Sequence, residues 1–333
     1  YTLQFKYPFK IAHGLRTQTD VVYVKLEHEG FTAWGEAALP PYLPETQKSV
    51  VEFLSAFCKS VLTNSIDGWF EKLQSESENM SAKAALDMAL WHMKSQVENT
   101  SIVELLGINE KKFPISTYTI GVSSLNEMKL KVEEADKHSF KVFKIKLNGE
   151  NDEQMITDFR EISDKPFAVD VNQGWDDVNE ANDKIEWLKE QGCLFVEQPL
   201  HKDEWDEMKL LITKSCLPLY ADESCQRISD LERVAEGFNG VNIKLMKCGG
   251  ITEAYQMILK ARALGLNVLI GCMSESSVGC TAAANLSPLA DYADLDGPYL
   301  ISNDPFKGME VKEGRIQINQ LINSIHLPAA YER

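Results

Sequence analysis

From Pro114 onward, short β-like runs alternate with helical segments: Ile115–Ile120, Val142–Leu147, Phe167–Asn172, Cys193–Glu197, Leu217–Asp222, Val241–Lys247, Asn267–Cys272 and Asp291–Asp296. Strands separated by helices pair in parallel, and eight such units are enough to close a (β/α)8 barrel. Most of these runs end on charge: Lys144-Ile145-Lys146, Asp170, Glu197, Asp222, Lys247 and Asp294-Leu295-Asp296. From Lys146 to Lys247 the sites fall about 25 residues apart, the length of one strand–loop–helix unit. A barrel gathers its strand ends at one mouth, so charges scattered in sequence become neighbours in space.

Parity sharpens this reading, because alternate strand residues face the barrel interior and the helical jacket. Phe143, Ile145 and Leu147 oppose Val142, Lys144 and Lys146; Phe167, Val169 and Val171 oppose Ala168, Asp170 and Asn172; Leu217, Leu219 and Ala221 oppose Tyr220 and Asp222. The jacket face is apolar each time and the charge points inward. Burying such groups costs several kcal/mol unless they are paired or coordinated, which points to a functional site. Lys247 breaks the pattern, since it shares a face with Leu245 while Asn242, Lys244 and Met246 take the other. Either Lys247 lies just past the strand or Lys244 is the inward group.

The first 110 or so residues have another rhythm. Val21–Glu27 and Phe31–Glu36 are strand-like around a Glu29-Gly30 turn, and Ser81 to Val97 carries a broad apolar stripe of helical period. The expected organisation is an α+β capping domain over 1–112, the barrel over 113–304, and a segment over 305–333 that packs back on the capping domain. The class is α/β.

A formal charge of −16 argues against nucleic acid or an anionic membrane surface as partner. No apolar stretch approaches a membrane span, and no signal peptide is visible at Tyr1-Thr2-Leu3-Gln4. Seven cysteines without a Cys-x-x-Cys pair suggest reduced thiols, hence a cytoplasmic location, and no zinc site.

Asp170, Glu197 and Asp222 end three consecutive strands. Singly each would serve as a helix cap or loop carboxylate; together in a confined mouth they repel one another unless a cation sits among them. Oxygen donors without histidine or cysteine suit Mg2+. Lys144 and Lys146 share a face, and in such a pair mutual repulsion and desolvation both favour the neutral amine that can act as a base. Strands two and six of eight lie on opposite sides of a barrel, so a lysine on each could serve two faces of one carbon. Asp294 and Asp296 call for a cationic partner such as a substrate ammonium, or else mark a turn before Gly297-Pro298. Arg16, in Ala12-His13-Gly14-Leu15-Arg16-Thr17, could clamp a carboxylate; Ser274 and Asn172 are further candidates for the pocket wall.

On these residues the chain resembles the enolase superfamily, muconate lactonising enzyme-like subgroup, and within it the dipeptide epimerases. The likeness rests on Trp34-Gly35-Glu36, Lys144-Ile145-Lys146, Asp170-Val171-Asn172, Glu197-Gln198-Pro199, Asp222-Glu223-Ser224, Lys247-Cys248-Gly249-Gly250 and Asp294-Leu295-Asp296. The resemblance implies that Asp170, Glu197 and Asp222 hold Mg2+, that Lys146 and Lys247 are the acid/base pair with Lys144 tuning Lys146, and that Asp294 and Asp296 hold the α-ammonium of a dipeptide. It implies two-base 1,1-proton transfer at the α-carbon of the C-terminal residue, through an enediolate. It also implies capping loops, here Ala12–Thr19 and Pro40–Glu45, that select side chains, with Arg16 suited to L-Ala-D/L-Glu and to peptidoglycan recycling. Competing readings are a cycloisomerase, an o-succinylbenzoate synthase or N-acylamino acid racemase on the same scaffold, a Schiff-base aldolase, and an inert binding barrel. A homo-oligomer is compatible with all of them.

Overall fold

The structure, a computed structural model, describes residues 1–11, 14–63, 65–109 and 112–318. The capping region opens with an antiparallel sheet in the order β1 (Thr2–Ile11), β2 (Gly14–His28) and β3 (Phe31–Leu39). Helices α1 (Gln47–Ser60), α2 (Ile66–Gln74), α3 (Met80–Val97) and α4 (Ile102–Leu105) follow. Each starts on a side chain that accepts from its first turn: Thr46, Ser65, Asn79 and Ser101. Helix α3 runs so close to β3 that a Cβ on Gly35 would meet the Ala85 carbonyl oxygen at 1.8 Å. Only glycine allows that approach.

The segment read as a capping loop at Ala12–Thr19 is mostly strand. Lys10 pairs with Leu15 and Phe9 with Arg16, so β1 and β2 form a long hairpin. Ala12 and His13 lie outside the described residues, as do His326 and the whole of 319–333. Between Gln4 and Phe9 the register of β1 shifts, at a stretch holding Pro8, which has no N–H to give to the ladder.

Eight parallel strands then alternate with helices: β4 (Thr117–Ile120), α5 (Leu125–Lys137), β5 (Val142–Lys146), α6 (Asp152–Ile162), β6 (Phe167–Asp170), α7 (Val178–Glu190), β7 (Cys193–Glu197), α8 (Trp205–Lys214), β8 (Leu219–Ala221), α9 (Leu231–Val234), β9 (Gly240–Lys244), α10 (Leu245–Cys248), α11 (Ile251–Ala263), β10 (Asn267–Gly271), α12 (Ser277–Ala284), β11 (Tyr292–Asp294) and α13 (Gly297–Leu300). They are hydrogen-bonded in chain order from β4 to β11. The ends meet where Ser116 bridges Ala293, the Ala293 N–H donating to the Ile115 carbonyl at 3.0 Å. The sheet is thus a barrel, with Ala168, Phe195, Tyr220 and Leu269 packed together on its inner face. Phe143, Ile145, Val169 and Leu219 join the helices in the outer core, as parity requires.

Two acidic side chains of the capping domain reach the N-termini of barrel helices. Glu36 accepts from Ser276 N at 2.9 Å, Ser276 Oγ at 2.6 Å and Gly279 N at 2.9 Å, at the start of α12. Asp87 accepts from Thr252 N at 3.1 Å and Thr252 Oγ1 at 2.5 Å, at the start of α11. Both place negative charge where a helix exposes free N–H groups.

The described part of the C-terminal segment divides its contacts. Phe306 packs edge-on against Tyr23 and Trp34 of the capping sheet, at 4.9 and 5.0 Å between centroids. The hairpin of β12 (Glu310–Lys312) and β13 (Arg315–Gln317) instead pairs with the entry to the barrel, where Arg315 bridges Ile115 and Ser116 N donates to the Gly314 carbonyl. The hairpin thereby pairs with the strand edge ahead of β4.

Candidate active site

Register sets the rim. Lys146 pairs with Asp170, and Asp170 with Glu197, across β5, β6 and β7. Asp222 follows β8 immediately. Oxygens of Asp170, Glu197 and Asp222 lie within 4.8 Å of one another, and all three residues are buried. They are the acids that the sequence pattern brought together. Between β7 and β8 the Gln198 side chain accepts from the N–H groups of Asp222 at 3.0 Å and Ser224 at 3.1 Å, fixing the backbone that carries Asp222. Its own φ of 38° is a costly left-handed conformation of the kind that collects at functional sites.

Lys144 lies one layer deeper, its Nζ 3.0 Å from Asp170, 2.8 Å from Glu197 and 2.8 Å from Asp294. Burial alone would depress its pKa, but Asp294, Glu197 and Asp170 outweigh that and raise it well above the usual lysine value, so it stays a cation. Lys146 Nζ is 2.6 Å from Asp170 Oδ2 and faces the cavity.

The second lysine is where the structure departs from the carried-over assignment. Strand β9 ends at Lys244, whose Nζ points inward, 2.6 Å from Asp222 Oδ2, and lines the cavity. The chain then turns into the single helical turn of α10, so the strand period no longer applies to Lys247. Its Nζ is turned under Asp222, donating to Asp222 Oδ1 at 2.8 Å, the Asp222 carbonyl at 2.7 Å and the Asn242 carbonyl at 2.8 Å. Three acceptors consume the three N–H bonds of an ammonium, and Lys247 is not among the cavity-lining residues. Lys244, not Lys247, is the lysine opposite Lys146, across the triad.

Charge is unevenly shared among the acids. Burial opposes ionisation of Asp170 and Asp222, but Lys146 and Lys144 hold Asp170 below the usual carboxylate range, and Lys244 and Lys247 do the same for Asp222. Burial, reinforced by Asp170, pushes Glu197 up to about 8, and burial, reinforced by Asp222, pushes Glu223 up to about 7. A compact, all-oxygen, buried donor set containing a carboxylate short of positive charge fits a hard divalent cation.

Asp294 accepts from Thr117 Oγ1 at 2.7 Å, and Asp296 from Thr119 N at 2.5 Å. Burial and the neighbouring Asp294 raise Asp296 to about 7. Both face the cavity, which suits a ligand cation. Arg16 enters from the hairpin, and its Nη2 donates to Ser274 Oγ at 3.3 Å. Its Nε and Nη1 are buried without a hydrogen-bond partner. Asn172 lines the same cavity, donating to Glu223 Oε1 at 3.3 Å while its own Oδ1 is unpartnered. Sequence reasoning gave no site role to Tyr42, whose hydroxyl meets Met273 Sδ at 2.5 Å, to Thr119, or to Asn242, which donates to Glu197 Oε1 at 2.8 Å. The parity that set Asn242 beside Lys244 was the available signal.

A closed barrel with a buried carboxylate triad at its mouth, flanked by one lysine from each side and roofed by an α+β domain, defines an acid/base enzyme that removes and returns protons next to a carboxylate. The chain belongs to the mandelate racemase/muconate lactonizing enzyme family of the enolase superfamily. Residues 2–107 match the mandelate racemase/muconate lactonizing enzyme N-terminal domain, and residues 127–320 match the enolase C-terminal domain-like family. It is 41% identical over 326 residues to the L-Ala-D/L-Glu epimerase of Bacteroides thetaiotaomicron, covering 96% of this chain and 84% of the relative. It is 35% identical to the L-Ala-D/L-amino acid epimerase of a Maribacter species, covering 94% and 93%. Among solved structures, the dipeptide epimerase of Enterococcus faecalis complexed with Mg and L-Leu-L-Tyr superposes with a TM-score of 0.88 at 28% identity, covering 98% and 97%.

Proposed function

We propose that this chain is a Mg2+-dependent dipeptide epimerase that inverts the α-carbon of the C-terminal residue of L-Ala-D/L-Glu or a related dipeptide. The observation that carries this reading is the placement of Lys146 on β5 and Lys244 on β9, four strands apart in an eight-strand order, with Asp170, Glu197 and Asp222 between them. The names of the relatives support the substrate class.

Asp170, Glu197 and Asp222 would hold the cation, which supplies electrophilic stabilisation for a carboxylate whose α-carbon is being deprotonated. The ε-amine of one lysine takes the α-proton, and the ammonium of the other delivers a proton to the opposite face, so the configuration inverts. Lys144, held charged by Asp294, Glu197 and Asp170, adds fixed positive charge where negative charge develops. Asp294 and Asp296 bind the substrate's α-ammonium. The two unpartnered nitrogens of Arg16 suit the side-chain carboxylate of a C-terminal glutamate. That substrate would place the enzyme in peptidoglycan recycling. A cytoplasmic location is part of the same proposal, and no described helix is long and apolar enough to cross a membrane.

A library of L,L-dipeptides incubated with the enzyme in D2O and read by mass spectrometry tests the proposal. It expects one deuterium at the α-carbon of the second residue, L-Ala-L-Glu among the responders, and loss of exchange with EDTA. Exchange that persists without divalent metal, or a library with no responder, would overturn it.

A further inference from the structure

The corner of the cavity where β11 meets β4 holds Asp294, Asp296 and Thr119. A dipeptide whose second α-carbon lies between Lys146 and Lys244, and whose ammonium reaches the two aspartates, directs its first side chain into that corner. Arg16 leans away from it to Ser274, and the Tyr42 hydroxyl to Met273, which leaves both for the second side chain. Towards the capping hairpin the corner is walled by Phe9 of β1, Thr119 of β4 and Leu300, the last residue of α13.

That wall has little space to draw back into. Phe9, Thr119 and Leu300 also border a gap on their far side, next to Phe5 and Pro8, with room for about one water. Phe9 rests against Phe5, with 5.7 Å between ring centroids, and Arg16 covers both rings. Leu300 is held by its neighbours in sequence. Tyr299 packs edge-on against His138 and Phe140, at 4.7 and 5.1 Å between centroids. Ile301 bridges Phe5, and the Ser302 N–H donates to the Gln4 carbonyl at 2.9 Å. Thr119 is fixed by its N–H bond to Asp296 at 2.5 Å. Extra methylenes in a packed site push side chains off their rotamers and shift backbone, so a longer first side chain is penalised here.

We propose that Leu300, backed by Phe9 and Thr119, limits the first residue of the dipeptide to a small side chain: glycine, alanine or serine. This rests on the dipeptide reading above and adds the residue that sets its first position. Truncating Leu300 joins the corner to the gap behind it and admits a branched side chain such as leucine.

The test measures kcat/KM by α-proton exchange in D2O for Gly-L-Glu, L-Ala-L-Glu and L-Leu-L-Glu, which differ only at the first residue. The proteins compared are the wild type, Leu300→Ala and Leu300→Phe. The wild type is expected to favour L-Ala-L-Glu over L-Leu-L-Glu by about tenfold or more. Leu300→Ala should lower that ratio by about ten- to a hundredfold, mainly through KM for L-Leu-L-Glu. Leu300→Phe should act the other way, raising Gly-L-Glu relative to L-Ala-L-Glu by about tenfold. The ratio of L-Ala-L-Glu to L-Ala-L-Leu, which reports the second residue, should stay within about twofold in both variants. Three results would overturn the wall while leaving the epimerase reading intact: a wild type that handles L-Leu-L-Glu as well as L-Ala-L-Glu, a first-residue ratio that neither variant moves, or first- and second-residue ratios that move together. A wild type that exchanges none of these dipeptides would overturn both.

Discussion

Lys244 and Lys247 grip opposite oxygens of the same carboxylate, Asp222, at 2.6 and 2.8 Å, yet only Lys244 presents its ammonium to the substrate cavity. One aspartate therefore separates the lysine proposed to react from one that spends its three N–H bonds on protein acceptors three residues later.

Replacing each lysine by methionine should give different failures. Lys244→Met is expected to lower kcat for epimerisation by about 10^2- to 10^4-fold, the span of a lost general acid/base, with little change in melting temperature. Lys247→Met removes the donor to Asp222 Oδ1 and to the Asp222 and Asn242 carbonyls while Lys244 still pairs the carboxylate, and should destabilise the fold by about 1–3 kcal/mol. Thermal unfolding beside single-turnover exchange distinguishes the two; equal melting temperatures would count against the division of labour.

Asp296→Asn tests the ammonium site. A free α-amine would lose a charge-assisted partner worth about 1.5–3 kcal/mol, whereas the N-acetylated dipeptide has no such charge. The preference for free over acetylated substrate, measured as a ratio of kcat/KM, should fall by roughly tenfold or more.

Arg16→Met should act on the second side chain. The ratio of kcat/KM for L-Ala-L-Glu to that for L-Ala-L-Leu is expected to drop by about ten- to a hundredfold. An unaltered ratio would assign Arg16 to packing over Phe5 and Phe9, whose rings it covers at 5.6 and 5.9 Å.

Glu36 makes stability depend on pH. Burial lifts its pKa from 4.5 to about 7, against the opposing hydrogen bonds from Ser276 and Gly279. A carboxyl raised in the folded state contributes stability that is full below about pH 4.5 and lost as pH rises through about 7. Chemical denaturation of metal-free protein should show a decline over that window, the share from Glu36 being about 3 kcal/mol. Glu36→Gln should flatten it; an identical slope in the variant would contradict the assignment.

Much of this site was legible in the sequence because a barrel strand obeys a period of two. Lys144, Lys146, Asp170 and Asp222 could be assigned inward from their greasy neighbours alone, and charge repulsion grouped Asp170, Glu197 and Asp222 as candidate metal ligands. Parity left Lys244 and Lys247 both open, and it was the resemblance that favoured Lys247. The one-turn helix at Leu245–Cys248, closed by Gly249 at φ 85°, interrupts that period too briefly to register in sequence. Tyr42 and Thr119 carry no charge pattern, and their roles arise from the meeting of separate elements. The loop expected at Ala12–Thr19 came from the resemblance, while the pairing of 14–19 with β1 is a tertiary fact.

The two acid clasps, Glu36 on α12 and Asp87 on α11, bolt the roof to the barrel at points away from the reacting carbon. Swinging the whole roof aside would strand two buried carboxylates and the amides they serve, so traffic of substrate and product falls to the Pro40–Glu45 turn. Such a division lets the doorway be rewritten for new side chains while the proton-handling floor stays as it is.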